Sequence, residues 1–161
     1  MRLHNPVVTI REYTVSDELQ VIELVHKLHP LNKWSRPPTV MAPWHIAEIK
    51  RWCAKHIGSI LVAEQDSRLL GYACLLGRCE GDGTGGDIAY AYAHITDLVS
   101  TKAARGRGIG RALLAACEKI VRDKERVVLR IGVLTGKEGA RKVYENFGFK
   151  PHHTTLDKLL K

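Results

Sequence analysis

Alternation of apolar and polar positions opens the chain: "PVVTIREY", residues 6 to 13, has the two-residue period of a half-buried strand. Ser16 then stands where a helix N-cap is expected, ahead of the amphipathic run "DELQVIELVHKLH", which Pro30 must stop. The prolines of "NKWSRPPTVMAP" predict a connection, and "WHIAEIKRWCAKH" predicts a second helix ending near Gly58. These first helices are placed to form a lid or a substrate wall. Two apolar runs, "SILVAEQ" and "LLGYACLLGR", are separated by "DSR" and read as a hairpin. A long fourth strand follows from about Ile88 to Ser100. Beyond it Ile109, Leu113, Cys117, Ile120 and Val121 recur at the spacing of a helix packed on a sheet. "RVVLRIGVL" reads as a strand, "EGARKVYENFGF" as a helix with its stop, and "HHTTLDKLL" as a last strand. The order β, α, α, β, β, β, α, β, α, β predicts one α/β domain over residues 1–161, a mixed central sheet with helices on both faces.

Composition narrows the class only a little. The chain has 161 residues, enough for one sizeable core, and a formal charge of +8 that favours acidic partners such as phosphates or nucleic acid. Cys53, Cys74, Cys79 and Cys117 form no CxxC, so reduced thiols are expected and a zinc site is not. With neither an export signal nor a membrane span in the pattern, the expected location is the cytoplasm. "GDGTGG", Gly81 to Gly86, reads as a surface loop; no Lys-Ser or Lys-Thr pair follows it, so phosphate binding is not expected there.

The segment that carries chemistry is "TKAARGRGIGRALL", Thr101 to Leu114. Gly106, Gly108 and Gly110 lie between a strand and a helix, where bare backbone N–H groups and the helix dipole favour an anion. Arg105, Arg107 and Arg111 surround them with positive charge, and a pyrophosphate fits such a cradle. Arg111 in place of a third spaced glycine excludes the dinucleotide fingerprint. Ile109 and Gly110 at the helix start exclude a P-loop. The plain alternative is a glycine-rich turn with a solvated basic face, or a patch that touches RNA; residues 101–114 lack the interleaved aromatics of nucleic-acid modules, so nucleic acid is not the expected partner.

Arg105-x-x-Gly108-x-Gly110, preceded by "HITDLVSTKAA" and followed about thirty residues later by "ARKVYENFGF", resembles the two signature blocks of the GNAT superfamily of N-acetyltransferases. The resemblance covers roughly residues 60 to 150. It implies that Arg105, Gly106, Arg107, Gly108, Ile109, Gly110 and Arg111 hold the pyrophosphate of acetyl-CoA. It also implies that Leu98, Val99 and Ser100, at the bulged end of the fourth strand, offer backbone groups to the pantetheine and the thioester carbonyl. Tyr144 corresponds to the tyrosine that in many members protonates the departing thiolate, although Ala140, Val143, Tyr144 and Phe147 also read as a buried helix stripe. The chain departs from the family pattern at Ser100, at Lys102 where proline is usual, and at Lys137 where asparagine is frequent; Lys137 is still carried as a cofactor contact.

For the general base, regular strand alternation puts His94, Thr96 and Leu98 on one face and Ile95 and Asp97 on the other, unless a bulge shifts the register. His94 stands where some protein-lysine acetyltransferases place a catalytic glutamate, and imidazole titrates in the useful range. Asp97 and Glu80 are the other candidates, with bracing of the bulge as Asp97's alternative role. The expected activity is acetyl transfer from CoA to a primary amine by direct attack in a ternary complex, with no metal. A phosphorylated amino-sugar, a protein amine, an aminoglycoside-like amine and a polyamine all remain open as acceptors, as does a homodimer. A non-catalytic CoA-binding or acidic-partner-binding module is the competing reading.

Overall fold

The computed structural model describes residues 7–26, 38–81, 91–125, 128–156, 158 and 160. Five strands, β1 (Thr9–Glu12), β2 (Ser59–Gln65), β3 (Arg68–Glu80), β4 (Ala91–Ser100) and β5 (Leu129–Ile131), form one sheet in sequence order. All neighbours are antiparallel except β4 and β5, which run parallel. Four helices flank it: α1 (Glu18–Val25), α2 (Pro38–Lys55), α3 (Ile109–Asp123) and α4 (Glu138–Phe147). The mixed sheet with helices on both faces is the architecture the residue pattern predicts.

Each face has its own core. On one, Val21, Leu24, Val25, Ile46 and Ile49 of α1 and α2 pack on Val62, Tyr72, Cys74 and Val99. On the other, Ile109, Leu113, Leu114, Cys117 and Val121 of α3 pack on Ala63, Ala73, Leu75 and Ile95. The stripe read from the sequence is thus the buried stripe, with Ile120 at its margin. Between β2 and β3, Asp66 and Ser67 both take positive φ (50° and 62°), the paired left-handed geometry that suits a two-residue hairpin turn.

Three expectations change. Ser16 is not the cap: the Thr14 N–H donates to Asp17 Oδ2 at 2.8 Å and the Asp17 N–H to the Thr14 carbonyl at 2.9 Å, opening a short 3-10 turn that runs into α1. Hydrogen bonds from the Arg11 guanidinium also hold the Asp17 carboxyl down at about 2. Second, α2 begins at Pro38 and continues through Pro43, so part of the proline segment is helix; a proline at the first helical position gives up no intrahelical bond. Third, residues 151–156 carry no strand. The bulge expected in the fourth strand is present in β4, and it also builds the site. The positions predicted at residues 27–30, 82–86 and 88–90 lie outside the described residues.

Candidate active site

The pairing of β3 with β4 sets Cys74 opposite Asp97 and Leu75 opposite Ile95, so Thr96 is an extra residue: a bulge. One inserted residue reverses the facing of everything beyond it. His94, opposite Leu76, and Asp97, opposite Cys74, therefore share the α1/α2 face, while Ile95 and Leu98 both pack toward α3. The register shift that the sequence left open therefore occurs, and it joins His94 to Asp97 on one face. The Thr96 hydroxyl is buried at the bulge without a hydrogen-bond partner among the described residues.

The bulge coincides with a fork in the sheet. β5 pairs with β4 only at Ala93, His94 and Ile95. From Asp97 to Ser100, β4 remains bonded to β3 on one side, and its other edge is left without a paired strand among the described residues. Leu98, Val99 and Ser100, the residues proposed to meet pantetheine, lie on this open edge. Val133 and Leu134, just past β5, are exposed apolar residues.

The strand runs directly into the glycine turn. Thr101 Oγ1 accepts the Ala104 N–H at 3.2 Å and closes a single 3-10 turn. Gly106 and Gly108 then adopt φ of 75° and 79°, a region L side chains rarely enter. Gly108 caps α3, and the first closing bond of that helix is Ala112 N–H to the Gly108 carbonyl at 2.9 Å. The N–H groups of Ile109, Gly110 and Arg111 precede that bond and head the helix. A Cβ on Gly106, Gly108 or Gly110 would meet nothing within 4 Å, so these glycines leave open space in front of the backbone.

The arginines divide their roles differently from the expectation of a mobile ring of charge. Arg107 Nη2 donates to Gln65 Oε1 at 2.7 Å, and the Arg111 guanidinium lies 5.4 Å from the centre of the Phe147 ring. Arg105 is exposed. Backbone donors and the helix terminus are thus the fixed part of the cradle. Lys137 caps α4 after a turn in which its N–H donates to the Leu134 carbonyl at 3.1 Å.

Tyr144 is partly buried on α4, against the α3 core, with its ring in edge contact with Phe149 at 6.2 Å. Burial pushes its phenol up, so it carries its proton at neutral pH. His94 moves the other way. Burial, then the charge of Arg130, lowers its pKa and keeps the ring neutral. Arg130 is its neighbour on β5 and stacks 4.0 Å from the centre of the Tyr92 ring, which in turn lies 6.2 Å from His94.

Asp97 is 7% exposed and its Oδ2 receives two contacts: the Tyr72 hydroxyl donates at 2.9 Å, and His45 Nε2 lies at 2.6 Å. Tyr72 is fully buried, and burial, with the adjacent Asp97 charge, raises its phenol far above the ordinary value. This arrangement favours the bracing role for Asp97: it fastens the residue after the bulge to β3 and to α2. Glu80 is exposed and paired with Arg78 at 2.6 Å. His45 and Tyr72 are the residues the sequence reading missed. Nothing in the α2 pattern marks His45, whose partner is 52 positions away, and nothing in a strand pattern marks a tyrosine whose partner is 25 positions away. Removing the hydroxyl, as Tyr72→Phe, takes away a buried hydrogen bond to a charged group. The expected loss is about 1.5–3 kcal/mol of unfolding free energy, read from denaturant curves.

A mixed sheet forked at a bulge, with a glycine-capped helix terminus beside the fork, defines the class of α/β fold. A family-level sequence profile makes the assignment specific: residues 25–149 match the acetyltransferase (GNAT) family, and the chain belongs to it. No curated protein sequence matches the chain. Among solved structures, an acetyltransferase of Trypanosoma brucei is 24% identical, with a TM-score of 0.70 over 96% of this chain and 100% of that one. The aminoglycoside N-acetyltransferase AAC(6')-Iy in complex with CoA is 17% identical, with a TM-score of 0.77 over 100% and 99% of the two chains. A transcriptional regulator from Bacillus halodurans C-125 is 23% identical, with a TM-score of 0.74 over 96% and 100%. At these identities the likeness is one of fold. Among the described residues, no helix is long and apolar enough to cross a membrane.

Proposed function

We propose that this protein transfers an acetyl group from acetyl-CoA to a primary amine. The observation that carries the reading is the continuity of the open β4 edge, Asp97 to Ser100, with the glycine turn and the head of α3. An extended pantetheine adds to that edge as a further strand would, and the pyrophosphate meets the N–H groups of residues 109–111. Acetyl-CoA supplies the activated acyl group; the chain's residues supply position and protons. Neutral His94, on the α1/α2 face beside the bulge, takes the proton of the attacking amine. Tyr144, protonated and on the α3/α4 face, returns one to the thiolate. Asp97 positions the strand through Tyr72 and His45. The acceptor enters on the α2 side; a neighbour in fold, the aminoglycoside N-acetyltransferase AAC(6')-Iy, is in complex with CoA, which supports CoA as the acyl carrier.

Thiol release from acetyl-CoA, followed against a panel of small amines, amino-sugar phosphates and lysine peptides, tests the reading. Turnover with one class names the acceptor; saturable CoA binding with no turnover on any would leave a binding module. The cradle has its own test. Gly110→Ala adds a methyl group into open space at an ordinary φ, so the fold should be unharmed. Gly108→Val also forces a branched residue into left-handed backbone, at about 1–2 kcal/mol. CoA affinity measured by calorimetry should fall about tenfold or more in both, since a methyl at the phosphate denies backbone approach. Parental affinity in a stably folded Gly110→Ala would place the phosphates elsewhere.

A further inference from the structure

Between α2 and the β1–β2 side of the sheet, a cavity of about 230 Å³ is lined by Glu12, Tyr13, Lys50, Cys53 and Ser59. Cys53 is only partly buried there, and behind it, 3.6 Å away, lies the sulfur of fully buried Cys74. Acyl transfer uses neither thiol. We infer that Cys53 and Cys74 form a redox site in which a hydroperoxide reaches Cys53 through this cavity and Cys74 resolves the product as a disulfide between α2 and β3.

Three separate features support the assignment. The two sulfurs are already close: an S–S bond of about 2.05 Å needs them to approach by roughly 1.5 Å, within reach of a side-chain rotation on a helix that can settle. The cavity offers a route, since Cys53 lines it beside Tyr13 and Lys50, whose ammonium is paired with the Glu18 carboxylate. The contact with Cys74 lowers the Cys53 thiol, while the same contact and burial push Cys74 up, so the exposed partner is the one that ionises. Cys117, by contrast, is buried on the inner face of α3 and pushed up to about 12, leaving it inert.

The chemistry balances with the peroxide as the only co-reactant. The Cys53 thiolate attacks the terminal peroxide oxygen; an S–O bond forms, the O–O bond breaks, and the departing alkoxide or hydroxide takes up a proton. Cys74 sulfur then attacks Cys53 sulfur, its thiol proton leaving with the displaced hydroxide as water. The two thiols lose two electrons and the peroxide gains them. A small dithiol reverses the bond by exchange. The consequence reaches the proposed active site through the register, because Cys74 is the cross-strand partner of Asp97 and α2 also carries His45. Oxidation staples α2 to the sheet one residue pair from the bulge.

Peptide mapping of the whole protein, treated with a small molar excess of hydrogen peroxide and then alkylated, tests this without any measurement of acetyl transfer. Expected is a Cys53–Cys74 linked peptide that dithiothreitol removes. In Cys74→Ser, Cys53 should instead be trapped by dimedone as the sulfenic acid. Cys53→Ser, a change at a partly exposed position, should form no link and leave Cys74 reduced. In the untreated protein, iodoacetamide should label Cys53 at least ~10-fold faster than Cys117. Over-oxidation of Cys53 with Cys74 still free, a link to any other cysteine, or equal labelling rates would overturn the assignment.

Discussion

Tyr144→Phe should lower kcat for acetyl transfer about 100-fold while acetyl-CoA affinity and thermal stability stay close to the parent's. General acid catalysis is typically worth ~100-fold or more, and the substitution removes only the proton donor. The ring keeps its edge contact with Phe149 and its place against the α3 core. Burial raises the phenol, which strengthens the expectation: the group carries its proton at neutral pH. A purely packing role predicts the reverse pattern. Tyr144→Phe would then be near normal, and only Tyr144→Ala would do damage, by a cavity costing a few kcal/mol. Steady-state thiol release and melting curves on both variants separate the two, provided chemistry limits the rate.

His94→Ala should reduce kcat/KM at neutral pH by about 100-fold, again with little change in CoA affinity. The pH dependence is the sharper readout. Because burial and Arg130 lower the folded-state pKa, the acid limb of kcat/KM should fall below the ordinary histidine value of about 6.5. Arg130→Gln, by removing the nearby cation, should move that limb upward. The same shift carries a sign for stability. Below about pH 6.5 the unfolded chain takes up the proton more readily than the folded one, so stability is lost as pH falls through the folded-state pKa and is fully present above the unfolded one. His94→Gln should flatten that slope in the acid range. Unchanged activity in His94→Ala would move the base to the Asp97–His45 pair or to a water chain.

The residues differ in how visible they were before folding. The glycine turn was legible because positive φ, helix capping and anion binding are local demands, met by Gly106, Gly108 and the cations within a few positions. The α3 stripe was legible for the same reason, as a period of one helix. Ser16 was misjudged by two residues, since a reciprocal bond between Thr14 and Asp17 won over the nearest serine. The helical start of α2 at Pro38 was hidden because proline reads as a breaker, although it is compatible with a first turn. The expected last strand does not form over residues 151–156; strands, unlike helices, need another segment to supply their hydrogen bonds, which a local pattern does not reveal.

The amino-acid sequence by itself therefore determined the fold class, the glycine turn ahead of α3 and the position of Tyr144 on a helix, all set by spacing along a few turns of chain. Only the tertiary structure decided the facing of His94 and Asp97, because one bulged residue at Thr96 inverts the alternation and a bulge is defined by the neighbouring strand. It alone joined Tyr72 and His45 to Asp97, and Cys53 to Cys74, across 25, 52 and 21 positions of chain. Separations of that length carry no local signal; such groups meet only when helix and sheet are packed together, and burial then sets which of them hold a proton.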